Sequence, residues 1–405
     1  MLRSRLALLR NSRFRLLFLA TFASGLGNWL AVIALQVDVY DRTHSGWWVG
    51  GLLIANILPA VFIGLLFGPL VDRLSRKGLM IASDLGRLGV FAALPFVNSA
   101  AGIVALAAVA GIGNGFFRPA VLAGLPNLVS PAELAGANSL MQLADASTTA
   151  LGPLLGGALV AASGPDLAYA VNAVTFAFSA VLVAFIPARL LQSDRPIGRG
   201  QWSDLAEGFS VVRHSRALLC VLVVWSTVML AGGIVNVAEV FLARQAFHSG
   251  DFGFGLLWAA SGVGLVAGGL TAPPLIERDI GAAYVRFIGV FCVGLACAAA
   301  APNVWVGAAA MTLAGFGNGG AVVANVTIVQ RGAPDRVRGR AFTLLMSANY
   351  AVLGLAFLAA GPFTNAYGPR WAFAAATGAA VGAALVALRF TRGIELDLSP
   401  APHRA

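Results

Sequence analysis

Charged side chains are scarce in this chain. Only 11% of its 405 residues are Asp, Glu, Lys or Arg, whereas 59% are hydrophobic and the mean hydropathy is +0.83. A soluble globule of this length would need far more polar surface. The apolar runs are continuous rather than alternating, which favours helices, because backbone polar groups in lipid must bond within their own segment. The sequence therefore predicts an all-α, polytopic membrane protein.

Motifs of catalysis and of metal binding are also lacking. The three cysteines, Cys220, Cys292 and Cys297, lie inside apolar runs and form no CxxC pair. The chain contains no HExxH, GxSxG or GxxxxGK[ST] motif and no carboxylate dyad. We therefore expect no enzyme activity, no metal site, no cofactor and no direct use of ATP.

What the chain has in abundance is apolar segments long enough to cross a bilayer, which takes about 20 residues per helix. We count twelve such segments. Their approximate bounds are 14–38, 47–70, 79–98, 101–125, 138–162, 168–187, 217–241, 252–275, 283–300, 303–328, 340–362 and 370–388. The sequence predicts twelve transmembrane helices at these positions.

The basic residues are distributed unevenly between the two sides of these segments. The formal charge is +10, which by itself would suit a nucleic-acid partner. Of the 27 basic residues, however, only Arg42, Arg244 and Arg370 fall in loops on the outer side. This is the positive-inside asymmetry of a bacterial inner-membrane protein with both termini in the cytoplasm. The partner that it predicts is the lipid bilayer, with no nucleic acid.

The chain repeats itself at an offset of 204 residues. AGIGNG at Ala110–Gly115 returns as AGFGNG at Ala314–Gly319, and HSGWWVGGLL from His44 returns as HSGDFGFGLL from His248. Six crossings bring a chain back to the same side, so the repeat predicts two pseudo-symmetric six-helix bundles, residues 1–187 and 217–405. Residues 188–216 then form a cytoplasmic linker, in which the apolar spacing predicts an amphipathic helix.

Two motifs resemble those of the major facilitator superfamily. GPLVDRLSRKG at Gly68–Gly78, between the second and third segments, is similar to the superfamily's loop signature. GPLLGG at Gly152–Gly157, together with the GNGFFRPAVLAGLPNLVSPAELAGANSL stretch before it, resembles the branch of enterobactin exporters and macrolide efflux pumps. The chain departs from the proton-antiporter pattern in the fourth segment, where Ala107 and Ala110 stand in place of Arg and Gln.

The resemblance implies a secondary transporter in which two halves rock around a midplane cavity. It favours export of a mostly apolar or amphipathic molecule, such as a drug, a macrolide or a siderophore, coupled to protons. Uptake of a nutrient, flipping of a lysophospholipid and a non-transporting receptor are the alternatives.

The loop signature supplies five candidates for conformational gating, namely Gly68, Asp72, Arg73, Arg76 and Lys77. We expect Asp72, Arg73 and Arg76 to latch the cytoplasmic side by bonding to helix ends of the other half. The alternative is that these residues only anchor the topology, although an acid such as Asp72 adds nothing to that role.

Three acids in the apolar segments are candidates for proton coupling, because ionisable groups are costly there. Asp145 lies in the fifth segment, and a permanent ion pair with Arg118 is its alternative role. Glu239 and Asp38 lie nearer the outer ends of their segments, where simple hydration is the alternative. Asp84 and Arg87, spaced i and i+3 in the third segment, predict a local ion pair.

Polar and aromatic residues inside the segments predict either interhelical hydrogen bonds or a wet cavity lining, since an amide in hydrocarbon needs partners. The glycines and proline of GPLLGG predict close helix packing instead; they are Gly152, Pro153, Gly156 and Gly157. The cavity candidates are Asn28, Asn56, Asn114, Arg118, Gln142, Trp225, Asn236, Trp258, Asn318, Asn325, Asn349 and Tyr350.

Overall fold

The prediction of an all-α protein with twelve spanning helices is confirmed. A computed structural model describes residues 7–66, 74–131, 133–191, 212–213, 215–333 and 338–391, and these ranges contain no strand. Twelve of the described helices are long and apolar enough to cross a membrane. They are α1 (Ser12–Thr43), α2 (Gly46–Leu66), α3 (Arg76–Ala93), α4 (Ala100–Gly124), α5 (Leu134–Ser163), α6 (Pro165–Ala184), α7 (Arg216–Phe241), α8 (Gly250–Thr271), α9 (Ile280–Ala300), α10 (Val304–Gly332), α11 (Arg338–Tyr367) and α12 (Pro369–Thr391).

Short polar residues set the starts of several helices. The side chains of Asn11, Ser75, Ser99, Ser215 and Asn303 each accept a hydrogen bond from a backbone N–H in the first turn of the helix that follows. These caps satisfy donors that have no partner within the helix. The helix starts are therefore encoded locally.

The ends of α1 and α7 show the repeat in the backbone. His44 follows α1 with a φ of 49°, and His248 lies just before α8 with a φ of 52°. The left-handed conformation is uncommon for residues other than glycine. These two histidines, which begin the repeated HSG stretches, are the only non-glycine residues of the described ranges with a positive φ.

Several helix ends differ from the predicted bounds. α1 continues to Thr43, and α7 continues beyond Phe241 into a five-residue π-helical turn, Leu242–Ala246. α8 stops at Thr271, because Pro273 and Pro274 open a separate six-residue helix, Pro273–Arg278. The longer outer ends place Asp38 and Glu239 further from the ends of the helical segments than predicted.

The chain divides into two compact units, each of which has its own packing. Unit 1 contains Met1–Gly198 and Gly250–Ala259, and unit 2 contains Arg199–Ser249 and Ala260–Ala405. In unit 1, α1 packs on α5 and α6, and α3 packs on α4 and α6. In unit 2, α7 packs on α11 and α12, and α9 packs on α10 and α12. Each of these four pairings of the first unit thus recurs six helices later. The proposed domain bounds stay a prediction, as do those of the linker helix, most of which lies outside the described residues.

The repeated glycine hexamers lie where helices nearly touch. A Cβ on Gly111 would meet Ala55 O of α2 at 3.1 Å, whereas one on Gly113 would meet Arg87 Cγ of α3 at 2.8 Å. In unit 2, a Cβ on Gly319 would meet Leu265 Cα of α8 at 2.9 Å, and one on Gly317 would meet Phe291 Cα of α9 at 2.8 Å. The hexamer therefore lets one helix approach two neighbours at once.

The GPLLGG glycines serve the same purpose within unit 1. A Cβ on Gly156 would meet Leu30 O of α1 at 2.7 Å, and one on Gly152 would collide with Trp29. A Cβ on Gly157 would meet Gly255 Cα of α8 at 2.8 Å, and one on Gly255 would meet Pro153 O at 2.5 Å. All four residues of the predicted packing motif lie at these close approaches.

Candidate transport site

A buried ion pair joins three helices of unit 1. Arg87 Nη2 lies 2.5 Å from Asp84 Oδ1, which confirms the predicted local pair, and both side chains are almost fully buried. Ser179 Oγ on α6 donates to the other carboxylate oxygen at 2.7 Å. Arg87 Nη1 donates to Asn114 Oδ1 on α4 at 2.7 Å.

The guanidinium of this pair also lies between two aromatic rings. Arg87 Cζ is 4.6 Å from the ring centroid of Phe117 and 4.2 Å from that of Phe176. A cation over an aromatic face is favourable. The charges are thus mutually satisfied, which is the arrangement of a structural brace. Asn114, a cavity candidate, is one of its members.

Unit 2 lacks the same brace. The residues 204 positions after Asp84 and Arg87 are Ile288 and Phe291, while Asn114 is repeated as Asn318. Asn318 Oδ1 is buried and has no hydrogen-bond partner among the described residues. A buried amide oxygen without a donor is costly, so Asn318 is a better candidate than Asn114 for meeting a ligand or water.

Asp38 lies in a second paired cluster. Its carboxylate accepts a hydrogen bond from Arg42 Nε at 2.6 Å and another from the Tyr169 hydroxyl at 2.9 Å. Asp38 is only 5% exposed, so in this conformation its carboxylate is paired rather than hydrated. The reason is that α1 continues past Asp38 for more than a turn and packs on α6, which carries Tyr169.

Gln36 is a polar residue that sequence analysis missed. It is fully buried, and neither its amide oxygen nor its amide nitrogen has a partner among the described residues. It stands in an otherwise apolar run, which is the same signal that identified the asparagines. A buried amide without partners is a candidate for contacting the transported molecule.

Asp145 forms the ion pair that was its alternative role. Arg118 Nη2 lies 3.0 Å from Asp145 Oδ2, and the two side chains are 70% and 38% exposed. Thr148 and Thr149 donate to the backbone oxygen of Asp145 rather than to its carboxylate. Both charges are therefore paired and accessible, unlike the buried acids.

Glu239 differs from every acid described above. It is 2% exposed, and its Oε1 has no hydrogen-bond partner among the described residues. Glu239 is buried in this conformation because α7 and its π-helical turn continue for several residues beyond it. Burying a charged carboxylate without a cation costs free energy, whereas burying the protonated, neutral carboxyl costs much less.

Other cavity candidates bond within their own units. Ser226 Oγ donates to Asn349 Oδ1 at 3.0 Å, and the Tyr284 hydroxyl donates to Asn325 Oδ1 at 3.3 Å. The Trp258 ring lies 5.7 Å from that of Trp29, and its Nε1 has no partner among the described residues. Gln142 is exposed and Trp225 is buried; the half-buried candidates are Asn28, Asn56, Asn236 and Tyr350.

The gating candidates are described only in part. Gly68, Asp72 and Arg73 lie outside the described residues. Arg76 Nη1 donates to Ala123 O at 3.0 Å and to Leu191 O at 2.9 Å, and Lys77 Nζ donates to Ala184 O at 2.6 Å. Ala123 and Ala184 lie at the C-terminal ends of α4 and α6, where carbonyls lack helical partners. These bonds of Arg76 are therefore within unit 1, whereas a latch between the halves stays a prediction.

The described part of the chain offers no group of three or more His, Cys, Asp or Glu side chains that could hold a metal ion. What it offers instead is a set of buried amides, aromatic rings and the buried acid Glu239, which has no cation beside it within these ranges.

Known proteins similar to this chain are transporters. The model of the family described as transmembrane secretion effector, MFS_3, matches residues 3–403. The uncharacterized MFS-type transporter YfiS of Bacillus subtilis is 28% identical over 364 residues, covering 86% of this chain and 87% of YfiS. The enterobactin exporter EntS of Salmonella paratyphi A is 29% identical over 343 residues, covering 81% and 80% of the two chains. The multidrug efflux pump Tap of Mycobacterium tuberculosis is 26% identical over 411 residues, covering 96% of each chain.

Solved structures share the fold. A bacterial homologue of the human lysosomal transporter Spinster, in an inward-facing and unoccupied conformation, superposes with a TM-score of 0.75 at 14% identity, covering 96% of this chain and 98% of that one. The nucleoside transporter NupG gives a TM-score of 0.74 at 16% identity, covering 94% and 99%.

Proposed function

The chain belongs to the transmembrane secretion effector family of major facilitator transporters, and from this premise we propose that it exports a mostly apolar or amphipathic molecule across the bacterial inner membrane, driven by protons. It is a multi-pass membrane transporter and not an enzyme. Cargo, direction and driving ion are the proposed parts.

Two named relatives support the outward direction. EntS is an enterobactin exporter and Tap is a multidrug efflux pump, and each is similar to this chain over four fifths of its length or more. The GPLLGG motif, which resembles that of exporting members, lies at the contacts that α5 makes with α1 and with the start of α8. A helix packed this closely transmits a rigid-body movement rather than absorbing it.

The polar inventory of the helices supports an amphipathic cargo. In the described ion pairs of the spanning helices, the two charges neutralise each other and are not free to bind cargo. Asp84 is paired with Arg87, and Asp38 is paired with Arg42. The groups that remain are single amides and aromatic rings, including Gln36, Asn318 and Trp258. Apolar walls with a few hydrogen-bonding groups suit bulky apolar or amphipathic molecules and give loose specificity.

The observation that carries proton coupling is the burial of Glu239. Its carboxylate lacks the partner that Asp38 and Asp145 have, so binding a proton would remove the cost of an unpaired buried charge. Movement of α7 during transport would alternately bury and hydrate this group. A carboxyl group that is protonated when buried and ionised when exposed to water takes up and releases one proton per cycle, and so acts as a proton carrier.

The test is accumulation of a fluorescent amphipathic dye in inside-out vesicles, with and without an imposed proton gradient. We expect gradient-dependent accumulation that Glu239→Gln largely abolishes, because a glutamine side chain cannot bind and release the coupling proton. Asp166→Asn is the matched control, since Asp166 is exposed at the start of α6.

Two results would overturn parts of the proposal. Loss of gradient dependence in Asp145→Asn but not in Glu239→Gln would make Asp145 the carrier. Absence of accumulation in every variant, at normal membrane levels of protein, would refute export of amphipathic cargo and favour nutrient uptake or lipid transport.

A further inference from the structure

A groove in unit 2 is lined by none of the site candidates discussed above. It is a cavity of about 590 Å³ lined by Arg216, Leu385, Leu388 and Arg389. Arg216 is the first residue of α7, and the other three lie in the last turns of α12, which packs along α7. The cavity is therefore framed by two helix ends that are adjacent in the fold.

The groove spans the boundary of the membrane. Arg216 opens one candidate span and Arg389 is next to the last residue of another, so both guanidiniums lie at the level where the spans end. Leu385 is four residues deeper than Arg389, about 6 Å along the helix axis. Both leucines are exposed, at 62% for Leu385 and 44% for Leu388. The cationic end of the groove thus faces the headgroup level, and its apolar end faces the acyl chains.

The cationic end has no counter-charge in the described ranges. Arg216 and Arg389 are both exposed, and neither has a hydrogen bond or an ion pair to another described residue. Among the residues that the structure describes, no acidic side chain lines the cavity. The N–H groups of the first turn of α7 add positive potential beside Arg216, whereas the C-terminal carbonyls of α12 offset part of the charge of Arg389, so the two guanidiniums themselves supply the cationic character.

We propose that this groove binds an anionic phospholipid, whose phosphate contacts Arg216 and Arg389 and whose acyl chain lies on Leu385 and Leu388. Guanidinium groups bind phosphate oxygens in a bidentate manner, and two of them at one cavity match a phosphodiester. Basic pockets between helices at the cytoplasmic membrane surface bind anionic headgroups in other membrane proteins. The leucines favour a lipid over a free anion, which would gain nothing from them. The site does not depend on the proposed export function.

The test uses the purified full chain in an uncharged detergent. Thermal unfolding is followed after adding dioleoylphosphatidylglycerol, dioleoylphosphatidylcholine or inorganic phosphate. A ligand that binds only the folded state raises the midpoint. We expect phosphatidylglycerol alone to raise the midpoint by several degrees, and the variant Arg216→Gln/Arg389→Gln to lose most of that shift.

Arg331→Gln is the matched control, because Arg331 is also an exposed arginine, in the last turn of α10, and does not line the groove. It should keep the full shift. Equal shifts from the two lipids, a shift that persists in the double variant, or the same shift from inorganic phosphate would each overturn the proposal.

Native mass spectrometry covers the case in which the double variant is unstable. The wild-type chain should retain phosphatidylglycerol in preference to phosphatidylcholine, and the single variants Arg216→Gln and Arg389→Gln should each retain less than Arg331→Gln does. Equal retention by all three variants would refute the site.

Discussion

At the scale of single residues, what separates the buried ionisable groups is whether each has a partner. Asp84 and Asp38 are neutralised by arginines, and each also accepts a hydroxyl hydrogen bond, from Ser179 and Tyr169 respectively. Glu239 has no comparable partner at Oε1 within the described ranges. Paired charges fix one arrangement of helices, whereas an unpaired acid can change its charge when its surroundings change.

How much of the candidate site could be predicted depends on whether a residue's partner lies on the same helix or on a distant one. The local pair of Asp84 and Arg87 follows from their spacing, because i and i+3 are neighbours on a helix. The hydroxyl partners come from α6, far along the chain, and a single sequence carries no signal for such a contact. Arg118 was the one distant partner that the sequence did suggest, as the alternative role of Asp145, and the structure forms that ion pair with both side chains accessible.

The brace of unit 1 gives a prediction for stability. Arg87→Phe leaves the Asp84 carboxylate buried with only Ser179, and we expect it to lower the free energy of unfolding by about 3–5 kcal/mol. The double variant Asp84→Ile/Arg87→Phe installs the residue types of Ile288 and Phe291, and should recover most of this loss. Thermal unfolding of the purified chain measures both. A double variant as unstable as the single one would contradict this account of the brace.

At the scale of helices, the glycine hexamer shows why spacing matters. Gly111 and Gly115 are four residues apart and share one face of α4, whereas Gly113 lies two residues from each, on the opposite side. The first face meets α2 and the second meets α3. The spacing of these glycines can be read from the sequence, but which helices they meet depends on the tertiary fold.

This arrangement predicts unequal costs for glycine substitutions. Gly319→Ala would push a Cβ to 2.9 Å from Leu265 Cα, so we expect it to part α8 from α10 and to destabilise the chain by about 1–3 kcal/mol. Gly378→Ala on α12 is the matched control, because a Cβ there meets nothing within 4 Å. It should be neutral, or stabilising by up to about 1 kcal/mol, since alanine is the better helix former. Equal unfolding midpoints for the two variants would refute the close approach.

At the scale of the whole molecule, the composition and the lengths of the apolar runs were enough to predict the main architecture. Twelve apolar runs predicted twelve spanning helices, because hydrocarbon admits few alternatives. The predicted domain bounds stay a prediction. Gly250–Ala259 groups with unit 1 although it follows the predicted linker, and within this group Gly157 of α5 closely approaches Gly255 of α8.

The predicted orientation in the membrane gives the last prediction, tested by cysteine labelling. In a background in which all three cysteines are replaced, we compare Ser163→Cys, at the end of α5, with Arg189→Cys, in the short helix Ala188–Leu190 after α6. Both positions are exposed, and α6 alone separates them. Since the basic residues predict cytoplasmic termini, a membrane-impermeant maleimide should label Ser163→Cys in intact cells and Arg189→Cys only in inside-out vesicles. The reverse pattern would place the termini outside. Labelling of both variants from one side would show that α6 does not cross the membrane.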